Sequence, residues 1–392
     1  MSPTPKRLAV LGATGSVGRQ TLEVVQQLRA QGQPSEVVAL AAGTDVVGLA
    51  QLARTWNVRH LGLAGPGEAQ ELRELLGRGV SVVHGPEGLA HLASLPEVDL
   101  VVNAVVGAAG LHATLGALRA GKTLALANKE SLVIGGELVR GLVRRDGQIL
   151  PLDSEHAALF QVLRGVGAAE VDRVWITASG GPFRGWSPTD LEGVKPEQAL
   201  AHPTWRMGPR ITIDSATLVN KAFEVIEAHH LFGFPWDRIG VVVHPQCRVH
   251  ALVELADGSV VAQLSPPDMR LPIQAALTYP ERGGPPWARL DLSGLSLTFE
   301  RVPEGSYPGF WAVLAAGVRG GTAPVVANAV DEVLVAAFLA GKLPFPAIAR
   351  GLEEILASHR AQPVGDLETV LDADRQAREE AMAFVDRKGT RV

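Results

Sequence analysis

Residues 7–18, Arg-Leu-Ala-Val-Leu-Gly-Ala-Thr-Gly-Ser-Val-Gly, decide how the first part of the chain folds. The apolar run at 8–11 reads as a buried strand, and a helical pattern over 19–30 follows the glycines. Gly12 permits a tight turn, Gly15 lets the backbone come close to a pyrophosphate, and Gly18 allows close helix packing. Amides at the helix N-terminus then face phosphate oxygens. The strand–turn–helix setting points to a bound dinucleotide; the plain alternative is a glycine turn in an α/β domain without a ligand.

Working outward, short β-branched or apolar runs at 36–41, 60–63, 80–83, 100–106 and 123–127 alternate with helical patterns such as 66–76 and 109–120. Alternation of this kind predicts a parallel sheet wrapped by helices, a Rossmann-like domain over residues 1–150. The character then changes. A strand at 149–152 leads into a helix near 155–163 and a strand at 173–177, the start of an α/β catalytic and metal-binding domain over 151–278. Residues 179–210 are rich in Gly, Pro and Trp, and a long irregular stretch inside a compact domain is commonly a functional lid, placed here near 184–210. Asp257-Gly258 between two alternating runs predicts a hairpin over 248–264. A cluster of Pro280, Gly283, Gly284, Pro285 and Pro286 marks a connector over 279–303. From Tyr307 the pattern is almost wholly helical, giving a C-terminal helical bundle over 304–392.

Composition narrows the partners. At 392 residues the chain exceeds one ordinary core. A net charge of −5 argues against general binding to nucleic acid or an anionic membrane. The single cysteine, Cys247, excludes an intrachain disulfide and a cysteine metal cluster, which points to a reducing, cytoplasmic setting. Residues 1–7 are short and polar, without the apolar core of a secretory signal. The most membrane-like window, 100–118, holds Asn103, His112 and three glycines and reads better as strand–turn–helix.

Several further groups carry chemistry. Asn128 and Lys129 follow a strand of the parallel sheet, at the end where ligands collect, although polar helix caps explain them equally well. Asp153-Ser154-Glu155-His156 offers two carboxylates that can converge on a hard divalent cation. The competing reading is a capped helix start, but a box capped by Ser154 would want Glu or Gln at 157, where Ala157 stands. Residues 214–227 read as one capped helix with Asn220, Glu224 and Glu227 on one narrow face and Val219, Phe223 and Ile226 forming the apolar stripe. Glu224 is then placed as a third oxygen ligand, with Ser215, Asn220 and Lys221 ready to grip an anion. A surface pair between Lys221 and Glu224 is the better reading of that stretch taken alone. Ser179-Gly180-Gly181-Pro182 supplies free amides and a hydroxyl, as anion-binding turns do. His202, Trp205 and Met207 fall in the lid. His244 and His250 read as packed or hydrogen-bonded residues, His250 with a supporting role at most.

Taken together and in order, 12–18, LANKESLV at 126–133, LPLDSEHAALFQ at 150–161, SGGPF at 179–183, HPTWRMG at 202–208, DSATLVNKAFEVIEA at 214–228, HPQ at 244–246 and PPDMRLPI at 266–273 resemble the 1-deoxy-D-xylulose 5-phosphate reductoisomerases. The similarity extends to 309–339 and so covers nearly the whole chain. It implies an NADPH-dependent oxidoreductase and a homodimer. It implies metal-dependent isomerisation of 1-deoxy-D-xylulose 5-phosphate and reduction to 2-C-methyl-D-erythritol 4-phosphate, a step of non-mevalonate isoprenoid precursor biosynthesis. Asp153, Glu155 and Glu224 would hold one Mg2+ or Mn2+ and, with Lys129, form the catalytic set. Ser179, His202, Ser215, Asn220 and Lys221 would bind the substrate, chiefly at its phosphate, with Lys129, Ser154, Glu155 and Glu224 at its reacting end. Thr14, Gly15, Ser16, Val17, Gly43, Asn128, Glu130 and Gly208 match cofactor-contact positions.

The chain departs from the family pattern in three places. Gly43-Thr44-Asp45 lacks the basic or amide side chains that often meet a 2′-phosphate, and an acid there can equally serve a ribose hydroxyl. Cys247 stands where serine is usual, and Thr204 and Arg206 vary the lid. Two rivals remain from the residues. A semialdehyde or acyl-phosphate reductase needs a cysteine nucleophile, for which Cys247 lacks the setting. A non-catalytic dinucleotide sensor has no use for Asp153, Glu155 and Glu224.

Overall fold

The computed structural model describes residues 6–388 except 206, 285, 286 and 304. Arg206 of the lid, Pro285 and Pro286 of the connector and the first five residues therefore lie outside the described residues. In chain order the elements are β1 Lys6–Leu11, α1 Ser16–Ala30, β2 Ser35–Ala41, α2 Val46–Trp56, β3 His60–Leu63, α3 Pro66–Leu76, β4 Ser81–His84, α4 Gly85–Ser94, β5 Leu100–Asn103, α5 Ala109–Arg119, β6 Thr123–Leu126, α6 Glu130–Arg140, β7 Ile149–Pro151 and α7 Ser154–Leu163. They continue as β8 Val171–Ala178, α8 Pro188–Leu191, α9 Pro196–Ala199, α10 Pro209–Ala216, α11 Val219–Phe232, β9 Ile239–Val243, β10 Val249–Leu255, β11 Val260–Leu264 and α12 Arg270–Thr278. The last are β12 Glu300–Arg301, α13 Pro308–Arg319, α14 Ala323–Leu339, α15 Pro346–Ser358 and α16 Leu367–Lys388. The chain divides into two compact units, one of residues 1–131, 139–160 and 268–289, the other of 132–138, 161–267 and 290–392.

The first unit carries a seven-stranded sheet in the order β4-β3-β2-β1-β5-β6-β7, parallel throughout. Its central strands are buried on both faces, as a sheet covered by helices on each side requires: Leu8, Val10, Leu40, Val101 and Val102 are fully enclosed. Strand order reverses between β1 and β5, and the crevice outside the carboxyl ends of such strands is where a ligand settles. The helices follow local rules. Asp45 caps α2 by accepting from the Gly48 amide at 2.9 Å, and Pro66 begins α3 where its missing N–H costs nothing. The later helix α12 belongs to this unit too, because Ile273, Ala276 and Leu277 complete its apolar core. The predicted strand over 100–106 ends at Asn103, where the chain turns outward to a bend at Gly107 with φ +77°.

The second unit holds a mixed five-stranded sheet, β11-β10-β8-β9-β12, in which only β8 and β9 run parallel. The hairpin of β10 and β11 turns at Asp257-Gly258, with Gly258 at φ +84° and Asp257 accepting from the Ser259 amide at 2.9 Å. Helices α13 to α16 form the C-terminal bundle, centred on α14, whose Val326, Val330 and Leu334 are buried. The expected single helix over 214–227 is two helices, α10 and α11. The break comes at Leu218, a left-handed residue at φ +62°, beside Thr217, whose hydroxyl accepts from the Val219 amide at 3.4 Å.

Candidate active site

The glycine turn has the shape its spacing predicts. A Cβ on Gly12, which sits at φ +86°, would lie 2.4 Å from the Ala104 carbonyl oxygen. One on Gly18 would lie 2.2 Å from the Gly12 carbonyl oxygen and 2.6 Å from the Ala13 Cα. Gly12 is therefore fixed by turn and neighbour, and Gly18 by the packing of α1 on its own loop. Gly15 is the N-cap of α1 in extended conformation, and Ser16 and Val17 open the helix. The amides of that first turn have no carbonyl within the helix to bond, which makes them natural partners for phosphate. On the neighbouring strand's exit, Gly43 has open space where a side chain would stand. A cradle of this form fits the pyrophosphate of a dinucleotide.

Asn128 and Glu130 brace the loop opposite. The Asn128 amide nitrogen donates to the carbonyls of Val105 at 2.7 Å and Gly107 at 3.0 Å and to Glu130 Oε2 at 2.9 Å. Its Oδ1 accepts from the Ser131 amide at 3.1 Å, so the capping role weighed for it is present. Glu130 Oε1 accepts from the Gly107 amide at 3.1 Å. Lys129 points elsewhere: it is buried, and its Nζ donates to Asp153 Oδ2 at 2.9 Å.

Asp153 ends the approach from β7 and serves two ways. Oδ1 accepts from the Glu155 amide at 3.2 Å and lies 3.0 Å from Nδ1 of His156, tying it to the start of α7. Oδ2 keeps the lysine ammonium. One oxygen of Asp153 thus caps the start of α7, and the other holds the Lys129 ammonium. Glu155 is half-buried, and its Oε2 accepts from the Ser154 hydroxyl at 2.8 Å. His156, fully buried, is a partner that the sequence reading passed over. Its signal was the i,i+3 spacing from Asp153.

In the second unit, α11 carries Asn220, Lys221 and Glu224 together. Glu224 Oε1 accepts from the Asn220 amide at 2.5 Å, and Oε2 pairs with the Lys221 ammonium. Lys221 and Glu224 are 6% and 2% exposed, which corrects the surface-pair reading: the i,i+3 contact exists, but it is buried. Buried like-for-like exchange with water is denied to both groups, so each charge leans on its partner. Glu227 is enclosed as well.

Around the turn at 179–181 a second anion-type arrangement forms. The Gly181 amide donates to Ser179 Oγ at 3.1 Å, and Nε2 of His202 lies 2.9 Å from the same oxygen. Nδ1 of His202 accepts from the amides of Thr204 at 3.1 Å and Trp205 at 2.9 Å. The proton of a neutral His202 is thereby assigned to Nε2, which donates to Ser179, and the serine hydroxyl hydrogen can point to an acceptor. Burial pushes the His202 pKa below the usual imidazole value, so the ring stays neutral in this setting. A Cβ on Gly181 would stand 2.5 Å from the Ser215 carbonyl, so this turn is pressed against α10. Ser215 donates its hydroxyl to the Ile211 carbonyl at 2.9 Å, and Gly208 is the N-cap of α10. Trp205 reaches His250, ring centroids 6.2 Å apart. His244 accepts from the Arg248 amide at 3.1 Å, faces the Thr298 carbonyl at 2.9 Å and stacks on Phe299, a packed histidine as expected.

Sequence reasoning also missed Arg210. It bonds Glu332 at 2.7 Å and Asn328 at 2.8 Å on α14 and lies 3.6 Å from Asp214, tying the end of the lid segment to the helical bundle.

Comparison with known proteins shows the family. Residues 8–136 match the family model of 1-deoxy-D-xylulose 5-phosphate reductoisomerase, and 149–232 and 264–380 match models of its C-terminal domains. The enzyme of that name from Desulfitobacterium hafniense (strain Y51) is 48% identical over 375 residues, covering 95% of this chain and 97% of its own. The Zymomonas mobilis reductoisomerase solved with NADPH superposes with a TM-score of 0.89 at 40% identity, covering 98% of this chain and 100% of that one. A DOX-P reductoisomerase structure with NADPH, fosmidomycin and magnesium gives 0.90 at 38% identity, covering 97% and 98%. Similarity of this extent, across all three family models, places the chain in the 1-deoxy-D-xylulose 5-phosphate reductoisomerase family.

Proposed function

We propose that this chain isomerises 1-deoxy-D-xylulose 5-phosphate and reduces the product with NADPH to 2-C-methyl-D-erythritol 4-phosphate, using Mg2+ or Mn2+. The observation that carries the reading is the form of two carboxylates, Asp153 part-buried and Glu224 buried. Asp153 and Glu224 each accept from a lysine ammonium, so each carboxylate already turns an oxygen toward positive charge. An all-oxygen donor set of this kind suits a hard divalent ion. Asp153, Glu155 and Glu224 hold that ion in this reading. Relatives solved with NADPH and with magnesium support the same pair of cofactors.

When bound, the ion supplies Lewis acidity to neighbouring carbonyl and hydroxyl oxygens, and the nicotinamide supplies hydride. The protein's own work is placement. Ser179, His202, Ser215, Asn220 and Lys221 grip the phosphate end, where neutral His202 holds the Ser179 oxygen so that the serine hydroxyl donates to phosphate, and Lys221 adds charge. Lys129 and Ser154 orient the reacting end. Segment 184–210 closes over the substrate and excludes water, drawing on phosphate binding energy. Thr14, Gly15, Ser16, Val17, Gly43, Asn128, Glu130 and Gly208 line the cofactor's place. The functional parts are then a cofactor domain to residue 150, a catalytic domain over 151–278, a connector and a helical C-terminal domain.

The assembly we propose is a cytoplasmic homodimer. Supporting it, edge strand β11 exposes Val260, Val261 and Leu264, and an apolar sheet edge needs cover. Among the described residues, no helix is long and apolar enough to cross a membrane.

The direct test is oxidation of NADPH, followed by absorbance, with 1-deoxy-D-xylulose 5-phosphate in the presence and absence of Mn2+. Metal-dependent oxidation is expected. Folded protein that binds NADPH yet oxidises none would favour a dinucleotide sensor instead.

A further inference from the structure

We propose that Arg19 is the residue by which this chain recognises the 2′-phosphate of NADPH, and that Asp45 is held back from opposing it. The inference rests on the dinucleotide reading above. Strands β1 and β2 are neighbours, with Leu11 opposite Ala41, so the loops at 12–15 and 42–45 leave the sheet side by side. The group following the second strand meets the adenosine ribose in folds of this type: an acid accepts from a ribose hydroxyl, and a cation takes a 2′-phosphate. Taken alone, Asp45 would select the unphosphorylated cofactor.

Two features change its part. The Asp45 Oδ1 is committed to the Gly48 amide at 2.9 Å, and a Cβ on residue 48 would lie 2.2 Å from Oδ2. Glycine at 48 therefore lets the carboxylate fold back on the start of α2. Arg19 then lies across the gap. Its Nε donates to the Thr14 carbonyl at 2.8 Å, which fixes the guanidinium beside the glycine turn, and its Nη2 stands 3.8 Å from Asp45 Oδ2. Both side chains of this pair are about half exposed, 58% and 47%, so the attraction between them is weak and yields readily to a doubly charged phosphate. A guanidinium presents a rigid fork of donors suited to phosphate oxygens. The open space at Gly43 leaves room for the group beside it.

The test is calorimetric binding of NADP+, NAD+, adenosine 2′,5′-bisphosphate and AMP to the full chain, without turnover. Arg19→Ala should weaken NADP+ and the bisphosphate by roughly tenfold to a hundredfold, the worth of a charge-assisted hydrogen bond, and leave NAD+ and AMP little changed. Arg19→Lys, which keeps charge but loses the fork, should fall between. Asp45→Asn, which keeps the capping oxygen and removes the negative charge, should tighten NADP+ and the bisphosphate and leave NAD+ and AMP little changed. Equal weakening of phosphorylated and unphosphorylated ligands would reduce Arg19 to a brace for Thr14 and overturn the proposal, as would unchanged NADP+ affinity. Wild-type protein that binds none of the four ligands would instead refute the dinucleotide reading itself, and this inference with it.

Discussion

Glu224 is a carboxylate with almost no access to water, held between the Asn220 amide and the Lys221 ammonium. Removing its charge leaves the lysine buried beside a group that cannot balance it. Breaking a buried pair in this way costs about 3–5 kcal/mol when no other group compensates. Glu224→Gln keeps the oxygen that accepts from Asn220, so part of that loss is avoided. We expect the variant to bind NADPH as before, to lose turnover, and to lose the rise in Tm that Mn2+ gives the wild type, since an ion stabilises only the state it binds. Thermal melts with and without Mn2+ check this; full activity at saturating metal would remove Glu224 from the ligand set. Lys221→Ala should raise KM for the phosphorylated substrate, and steady-state kinetics showing an unchanged KM would argue against a phosphate contact. At this scale much of the candidate site was legible. Asp153, Glu155, Lys221 and Glu224 stood out as charges beside apolar runs. What local sequence could not give was burial: the same i,i+3 lysine–glutamate spacing describes a solvated helix face and an enclosed pair equally well.

The elements show why the second unit was harder to read than the first. Strands at 60–63 and the helix at 66–76 were visible because a parallel sheet enforces unbroken apolar runs and glycine or proline punctuation. The break between α10 and α11 was not, because nothing in 214–227 forbids a continuous helix; Leu218 adopts a left-handed conformation without being glycine or asparagine. The close approach of Gly181 to Ser215, on a turn distant in sequence, belongs to the same packing. Gly181 has φ +69° and no room for a methyl group. Gly181→Ala should therefore cost about 1–3 kcal/mol through strain and overpacking, and should raise KM for the phosphorylated substrate by shifting Ser179 against α10. Urea denaturation beside steady-state kinetics separates the two effects. Unchanged stability would mean that the turn can move freely and would remove the link between glycine and site.

Longer-range packing adds a pH term. Asp331, on α14, is fully buried, and burial pushes its pKa up to about 6 from an ordinary 3.8, against the pull of Arg210 3.4 Å away. The folded state thus holds this proton more tightly than the unfolded chain does. The stabilisation from protonated Asp331 is fully present below about pH 4 and is lost as pH rises through about 6. A shift of that size corresponds to roughly 3 kcal/mol across the window. In Asp331→Asn the term vanishes, while Arg210 keeps Glu332 and Asn328. The stability of the variant relative to wild type should therefore improve between pH 4 and pH 7.5, by up to that amount. Urea midpoints at both pH values measure it, and a difference independent of pH would show that Asp331 does not titrate in this range.

For the molecule as a whole, strand β11 is the edge that calls for cover. It lies at the edge of the five-stranded sheet, with Val260 53%, Val261 40% and Leu264 36% exposed. An edge strand offers a row of unpaired amides and carbonyls, and chains that remain monomeric usually guard it with lysine, proline or a bulge. Here valines hold the positions where such guards would stand. Pairing with a second copy is the reading we favour, because a twofold contact buries the same patch on both subunits and leaves no free edge to propagate. Sedimentation should then give twice the 41.3-kDa mass of one chain. Val260→Lys with Val261→Lys should shift the protein toward the monomer while β10 and β11 stay paired, since a lysine stem can lie along the strand with its charge in water. A variant still dimeric at low concentration would place the interface on another surface, and a wild-type monomer would end the homodimer reading.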